Sequence, residues 1–202
     1  MSLNKILEKH HFETGDILLF SYNGNNLLDY LIKYFTQSKY THVGMIIINP
    51  PWRKDLKGYY ILQSNREGID IDCEDHEKKL GVELTKLEDA LSYNGSIYWR
   101  HIKTKRNKQF YNRLNEAHSK VHNRPYDMNL IDWIKGAFKI NEGDTQKITT
   151  FWCSALATYM LVQLNLLNKD TKWTLMSPAD LSSHKNTLEF INCDISNDIK
   201  IK

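Results

Sequence analysis

Only three cysteines occur in the 202 residues, Cys73, Cys153 and Cys193, and none stands in a Cys-x-x-Cys pair. So sparse and odd a count argues against a disulfide framework, a zinc knuckle or a redox dithiol. No apolar run approaches the roughly 20 residues that span a bilayer. The opening MSLNKILEKHHFETGD lacks the apolar stretch of a secretory signal. A cytoplasmic protein with no transmembrane segment is expected. Charge of one sign is also missing: 27 Lys and Arg against 24 Asp and Glu leave a net +3 spread along the chain. That is too little to recruit nucleic acid, and no nucleic-acid-binding motif accompanies it. There is no repeat and no low-complexity linker, so one domain over 1–202 is expected. Hydrophobic residues, 41% of the chain, suffice to build its core.

What is present falls into two halves. DILLFSY, THVGMIII, YYILQSN, GVELTKL and SIYWRHI are short, β-rich runs bounded by turn residues. NPPWRKDLKG is a loop, because its prolines cannot sit in a central strand. Between the first two runs, NNLLDYLIKYFTQ (25–37) has helical spacing. Later, Phe110, Leu114, Ala117 and Val121 mark a helical stripe that Pro125 stops. NLIDWIKGAF (129–138) reads as helix and NEGDTQK (141–147) as a polar loop. A helix then opens near Thr149 or Thr150, either a candidate N-cap. SPADLSSH has the signature of another helix start, with Ser177 as N-cap and Pro178 at its first position. The tail FINCDISNDIKIK supplies an edge strand. Strands first and helices second predict an α+β fold, with a mostly antiparallel sheet or partial barrel packed against helices.

Three residues carry candidate chemistry. Cys153 stands at the mouth of the apolar helix TTFWCSALATYML. It shares a helical face with Ala157, Met160 and Leu164, so packing is one reading; a helix N-terminus, where a thiolate is favoured, is the other. His42 opens a buried strand, where a rigid element aims its ring. Gln63 lies on the next strand. If the two strands pair, its carbonyl can accept the imidazole N–H; if the alternation turns it outward, it faces solvent. The other histidines sit in polar or exposed contexts. His118 and His122 are four residues apart on a helix and make a possible zinc pair, although no further ligand motif accompanies them.

In order, GDILLF, YTHVGMII, ILQSNREGI, NRPYD, FWCSALATYML and SPADL resemble the circularly permuted branch of the NlpC/P60 superfamily, the YiiX/YaeF-like papain-fold thiol hydrolases. That group has poxvirus relatives, so the resemblance admits a viral or bacterial origin. The likeness runs from Gly15 to Leu181, with histidine before cysteine as in permuted members. It implies that Cys153 is the nucleophile, His42 the general base and Gln63 the residue that orients His42. The family commonly has glutamate at this last position, five residues before a glycine; here it is Gln63, five before Gly68. Glu67 and Asp70 are the alternatives for that role. On this reading the helix N-terminus and a protonated His42 stabilise a Cys153 thiolate.

The expected activity is that of a cysteine hydrolase or acyltransferase acting on an amide, ester or thioester through an acyl-thioester on Cys153. A small-molecule, lipid-linked or peptide acyl group is the expected substrate, with no cofactor, no metal, and room for peripheral contact with a membrane. A papain-like binding or scaffold module without catalysis is the alternative.

Overall fold

In the computed structural model, residues 3–22, 33, 37–92, 94–127, 148–185 and 187–202 are described. The helices expected over 25–37 and 129–138 and the loop over 141–147 fall almost wholly outside them.

The apolar runs become strands where turn residues bound them: β1 (Ile17–Tyr22), β2 (His42–Ile48), β3 (Tyr59–Asn65), β4 (Gly81–Lys86) and β5 (Gly95–Arg100). A short β6 (Ile102–Lys103) continues past β5, and the tail forms β7 (Asp194–Ile195) and β8 (Ile199–Lys200). One six-stranded sheet runs β4-β3-β2-β1-β5-β8 with every neighbouring pair antiparallel, so the tail does supply an edge strand; β6 and β7 pair separately.

The period of two along each strand sorts the apolar side chains into two cores. Ile17, Leu19, Val43, Met45, Ile47, Tyr60, Leu62, Val82 and Leu84 face a helical layer. That layer consists of α3 (Lys108–Val121) and α4 (Cys153–Gln163), the second packed directly on β2 and β3. On the opposite face, Leu18, Phe20, Ile46, Ile61, Ile97 and Trp99 meet two short helices, α1 (Leu3–Leu7) and α2 (Leu87–Leu91). The chain is thus an α+β fold of antiparallel sheet against helices. No helix among the described residues is long and apolar enough to cross a membrane.

α3 follows its sequence closely. Asn107 caps it by accepting the Phe110 N–H at 3.1 Å, and Phe110, Leu114, Ala117 and Val121 are buried as the stripe predicts. Two other helix expectations need correction. α4 begins at Cys153 with Trp152 as its N-cap, and no side-chain cap; the Thr150 hydroxyl donates instead to Asp127 Oδ2. SPADL forms a turn, because Asp180 reaches back to accept both the N–H and the hydroxyl of Ser177.

The entrance to β1 is fixed by a buried carboxylate. Asp16, with no exposed surface, accepts from Trp99 Nε1 (2.8 Å), the Ile102 N–H (2.9 Å), the Glu13 N–H (3.0 Å) and Arg106 Nη2 (3.3 Å). Burial raises its pKa, and the hydrogen-bond donors around it work against that rise. Asp16→Ala is expected to lower stability by about 3–5 kcal/mol, because it strands these buried donors and weakens the Arg106 pairing. Equilibrium chemical denaturation measures this, and a loss below about 1 kcal/mol, no more than an exposed pair supplies, would refute it.

Candidate active site

β3 is where the site is assembled, because three consecutive residues on it have three sets of partners. Gln63 and Asn65 point to one face, Ser64 to the other. Ser64 Oγ donates to the carbonyl of Phe151 at 2.6 Å. The Phe151 N–H donates to the Pro125 carbonyl (3.1 Å), and the Asp127 N–H returns to Phe151 O (3.2 Å). This short parallel contact sets the chain two residues before Cys153. Gly81, at φ +133°, allows the 124–125 backbone to approach β4, and a Cβ there would collide with the Arg124 carbonyl oxygen. On the far side, Trp152 Nε1 and Ser154 Oγ both donate to the Met176 carbonyl, at 3.2 and 2.6 Å. The Ser177–Asp180 turn holds that carbonyl. The segments NRPYD, FWCSALATYML and SPADL therefore meet around the first residue of α4.

At the opposite wall, His42 opens β2 and packs its ring 5.3 Å from that of Phe20. Its Nε2 lies 2.8 Å from Gln63 Oε1. Gln63 is only 5% exposed, and its Nε2 donates to Glu83 Oε1 (3.0 Å) and Thr85 Oγ1 (3.3 Å). With the amide nitrogen so engaged, its oxygen faces the imidazole, which must then carry hydrogen on Nε2 and keep its lone pair on Nδ1. Glu67 and Asp70 line the same cavity but do not bond to His42: the Glu67 N–H donates to Asn65 Oδ1, and Asp70 Oδ2 accepts from Asn65 Nδ2.

Cys153 and His42 share the wall of one cavity of about 180 Å³, with Gln63, Arg66, Ile69 and Tyr126 among its other lining residues. Among the described residues no hydrogen bond joins the thiol to the ring. Cys153 is 7% exposed, and α4 is buried along nearly its whole length. Core packing and a place on the cavity wall thus coexist at this residue.

Burial works against the expected thiolate–imidazolium pair. Loss of water pushes the Cys153 thiol up to about 11, although backbone N–H groups of Val43 and Ser154 and the charge of Arg66 pull it down. Burial likewise pushes His42 down to about 4; the hydrogen bond to Gln63 raises it, and Arg66 adds to the fall. Gln63 carries no charge with which to hold an imidazolium. Both shifts favour the neutral forms of the two groups at neutral pH.

Elsewhere, His118, expected in a polar or exposed context, has a polar partner but is not exposed. It is buried, stacks on Trp52 (centroids 3.8 Å apart) and pairs with Glu74 at 3.0 Å. Asp72, Asp75 and His122 place ligand-type atoms within 4.8 Å of one another. The Lys79 ammonium sits on both carboxylates and on Asn123. A divalent ion would have to displace that internal cation, so the group fits an ion-pair network better than a metal site. The residue that sequence reasoning missed is Glu83. An acid in GVELTKL reads as solvent-facing, and only the register of β3 against β4 shows it opposite Gln63.

No protein-family model matches the chain, and no curated protein matches it. Among solved structures it is similar to YiiX from Escherichia coli O157:H7, described there as a metalloprotein, with a TM-score of 0.50 and 16% identity. The match covers 75% of this chain and 66% of that one. Such identity shows the fold alone: the chain has a YiiX-like α+β fold.

If the pair rests neutral, the Cys153 thiolate fraction, followed by ultraviolet titration, rises only toward about pH 11. Alkylation should climb steadily above pH 9, the ordinary thiol value, with no plateau in mild acid. A reactive plateau in mild acid that His42→Ala abolishes would establish the ion pair instead.

Proposed function

We propose that the chain is a cysteine hydrolase or acyltransferase of the permuted NlpC/P60, papain-like type, with Cys153 as nucleophile, His42 as general base and Gln63 as the residue that orients it. The observation that carries this reading is the His42 Nε2–Gln63 Oε1 hydrogen bond of 2.8 Å on the wall of the cavity that Cys153 also lines. A histidine held in one tautomer beside a thiol at a helix start is the arrangement that thiol acyl transfer requires.

In this mechanism His42 Nδ1 takes the thiol proton as Cys153 Sγ attacks the substrate carbonyl. The first N–H groups of α4, which have no partner within the helix, would serve to stabilise the oxyanion as it forms. Collapse of the adduct breaks the bond to the leaving group, which takes the proton from His42, and leaves an acyl-thioester. Water or another acceptor, deprotonated by His42, then releases the acyl group and restores the thiol. The cavity, about 180 Å³, is small. Enclosing a drug-sized ligand takes roughly 300 Å³ or more, so the reacting end enters and the remainder lies outside. Ile69, on the cavity wall, is 61% exposed, and Ile71 close by in sequence is exposed as well. These apolar side chains favour a lipid-linked acyl chain over a polar peptide.

The resting neutrality of Cys153 and His42 favours one competing reading, a binding module that retains the fold without catalysis. A panel of acyl-ester, acyl-amide and thioester probes, lipid-linked and peptidic, separates the two. Mass spectrometry is expected to find acyl groups on Cys153 and none on Cys73 or Cys193. Absence of any adduct, together with no turnover of any probe by the unmodified protein, would leave only the binding module.

Two further outcomes follow for a turned-over probe. Gln63→Ala should lower kcat about 10- to 1000-fold, since the ring is freed to rotate or take the wrong tautomer. The acid limb of kcat/KM should lie near pH 4, well below the ordinary histidine value of 6.5, because a base whose pKa is depressed stays unprotonated further into acid. Wild-type turnover in Gln63→Ala would show that another residue holds the histidine.

A further inference from the structure

Glu83 is a buried acid for which the mechanism above has no use. It stands opposite Gln63 in the β3–β4 register and is 1% exposed. Its Oε1 accepts from Gln63 Nε2 and Asn65 Nδ2, both at 3.0 Å, and its Oε2 has no hydrogen-bond partner among the described residues. Burial, with help from nearby Asp70 and Asp72, pushes the carboxyl up to about 7, against the two amide donors. A carboxyl buried at such cost calls for a reason.

That reason lies in an ambiguity of the Gln63 side chain. The two ends of an amide are nearly the same shape, and packing alone does not choose between them. Turned over, Gln63 would present its NH₂ to His42. Nε2 of the ring would then have to accept, hydrogen would move to Nδ1, and the basic lone pair would be lost from that nitrogen. Glu83 Oε1, which accepts from two amide groups at once, requires the NH₂ of Gln63 on its own side. Thr85 Oγ1 adds a longer contact of the same polarity. The order of donors and acceptors therefore runs in one direction across three strands, from His42 on β2 through Gln63 on β3 to Glu83 on β4.

We propose that Glu83 is a positioning residue for the thiol site, setting the orientation of the Gln63 amide and through it the tautomer of His42. The proposal rests on the hydrolase reading for its purpose. Its test, however, is read on the free protein, with no substrate present.

Nitrogen-15 NMR of the imidazole distinguishes the Nε2–H from the Nδ1–H form. The unmodified protein should show His42 as Nε2–H. Glu83→Gln, which keeps an acceptor oxygen in place, should retain that form. Glu83→Leu combined with Thr85→Val removes both acceptors, and a substantial Nδ1–H population should appear. His42 remaining wholly Nε2–H in a folded double variant would overturn the proposal. Should that variant not fold, the unmodified protein decides. The Gln63 side-chain N–H signals should shift together with the carboxyl carbon of Glu83 as it titrates near pH 7; signals that ignore that titration overturn the proposal. Failure of the probes to label Cys153 would remove the hydrolase reading while leaving these NMR outcomes as they stand.

Discussion

The period of two along β3 is the constraint on which the site depends. Gln63 and Ser64 are neighbours in sequence and point to opposite faces of the sheet. Gln63 reaches sideways to His42 and Glu83 on the flanking strands, while Ser64 reaches across to the Phe151 carbonyl, just ahead of α4. Moving the register by one residue would exchange these roles, setting a hydroxyl beside the imidazole and an amide against the mouth of the helix. The buried rows on either side, Tyr60 and Leu62 on one face and Ile61 on the other, hold the register. Core packing and site geometry are thus one requirement, met by the residues of a single strand.

How much of this was legible in the sequence differs from element to element. The strands read well because each is a short apolar run bounded by turn residues, and α3 reads well because its stripe and its Asn107 cap are local. The start of α4 did not, because its polar groups are satisfied from far away. Met176 accepts from two residues that flank the thiol, and Asp127 takes the Thr150 hydroxyl that local rules would assign to a cap. SPADL has the residues of a helix start, but Asp180 closes them into a turn. That Cys153, His42 and Gln63 come to one cavity was legible through the family resemblance, in the order and spacing of its motifs. Their protonation was not, because desolvation is set by how much chain closes over a group and no local motif records it.

On the proposed reading, the departure at Gln63 and the burial of Glu83 explain each other. A glutamate at 63, as the resemblance led one to expect, would place its carboxyl against Glu83 Oε1, with acceptor facing acceptor and two acids competing for one proton. An amide resolves the conflict, since it accepts from His42 on one side and donates to Glu83 on the other. The carboxyl has in effect moved one strand outward, with an amide between it and the imidazole.

On the same proposed reading, that arrangement shifts where the catalytic demand falls. A carboxylate in direct contact would hold an imidazolium in the resting state and so favour a preformed thiolate. With a neutral amide there, and with both reacting groups under cover, charge separation is deferred until a substrate is in place. Stabilisation of the resulting charges then rests on fixed dipoles: the N–H groups at the head of α4, the backbone N–H of Val43 beside the sulfur, and the Gln63 carbonyl behind the ring. A buried neutral thiol is also a poor nucleophile toward adventitious electrophiles and oxidants, which act on the thiolate. Low resting reactivity and acyl transfer are compatible here only if the ring is held in one orientation, and that puts the weight on the hydrogen-bond order that Glu83 imposes on Gln63.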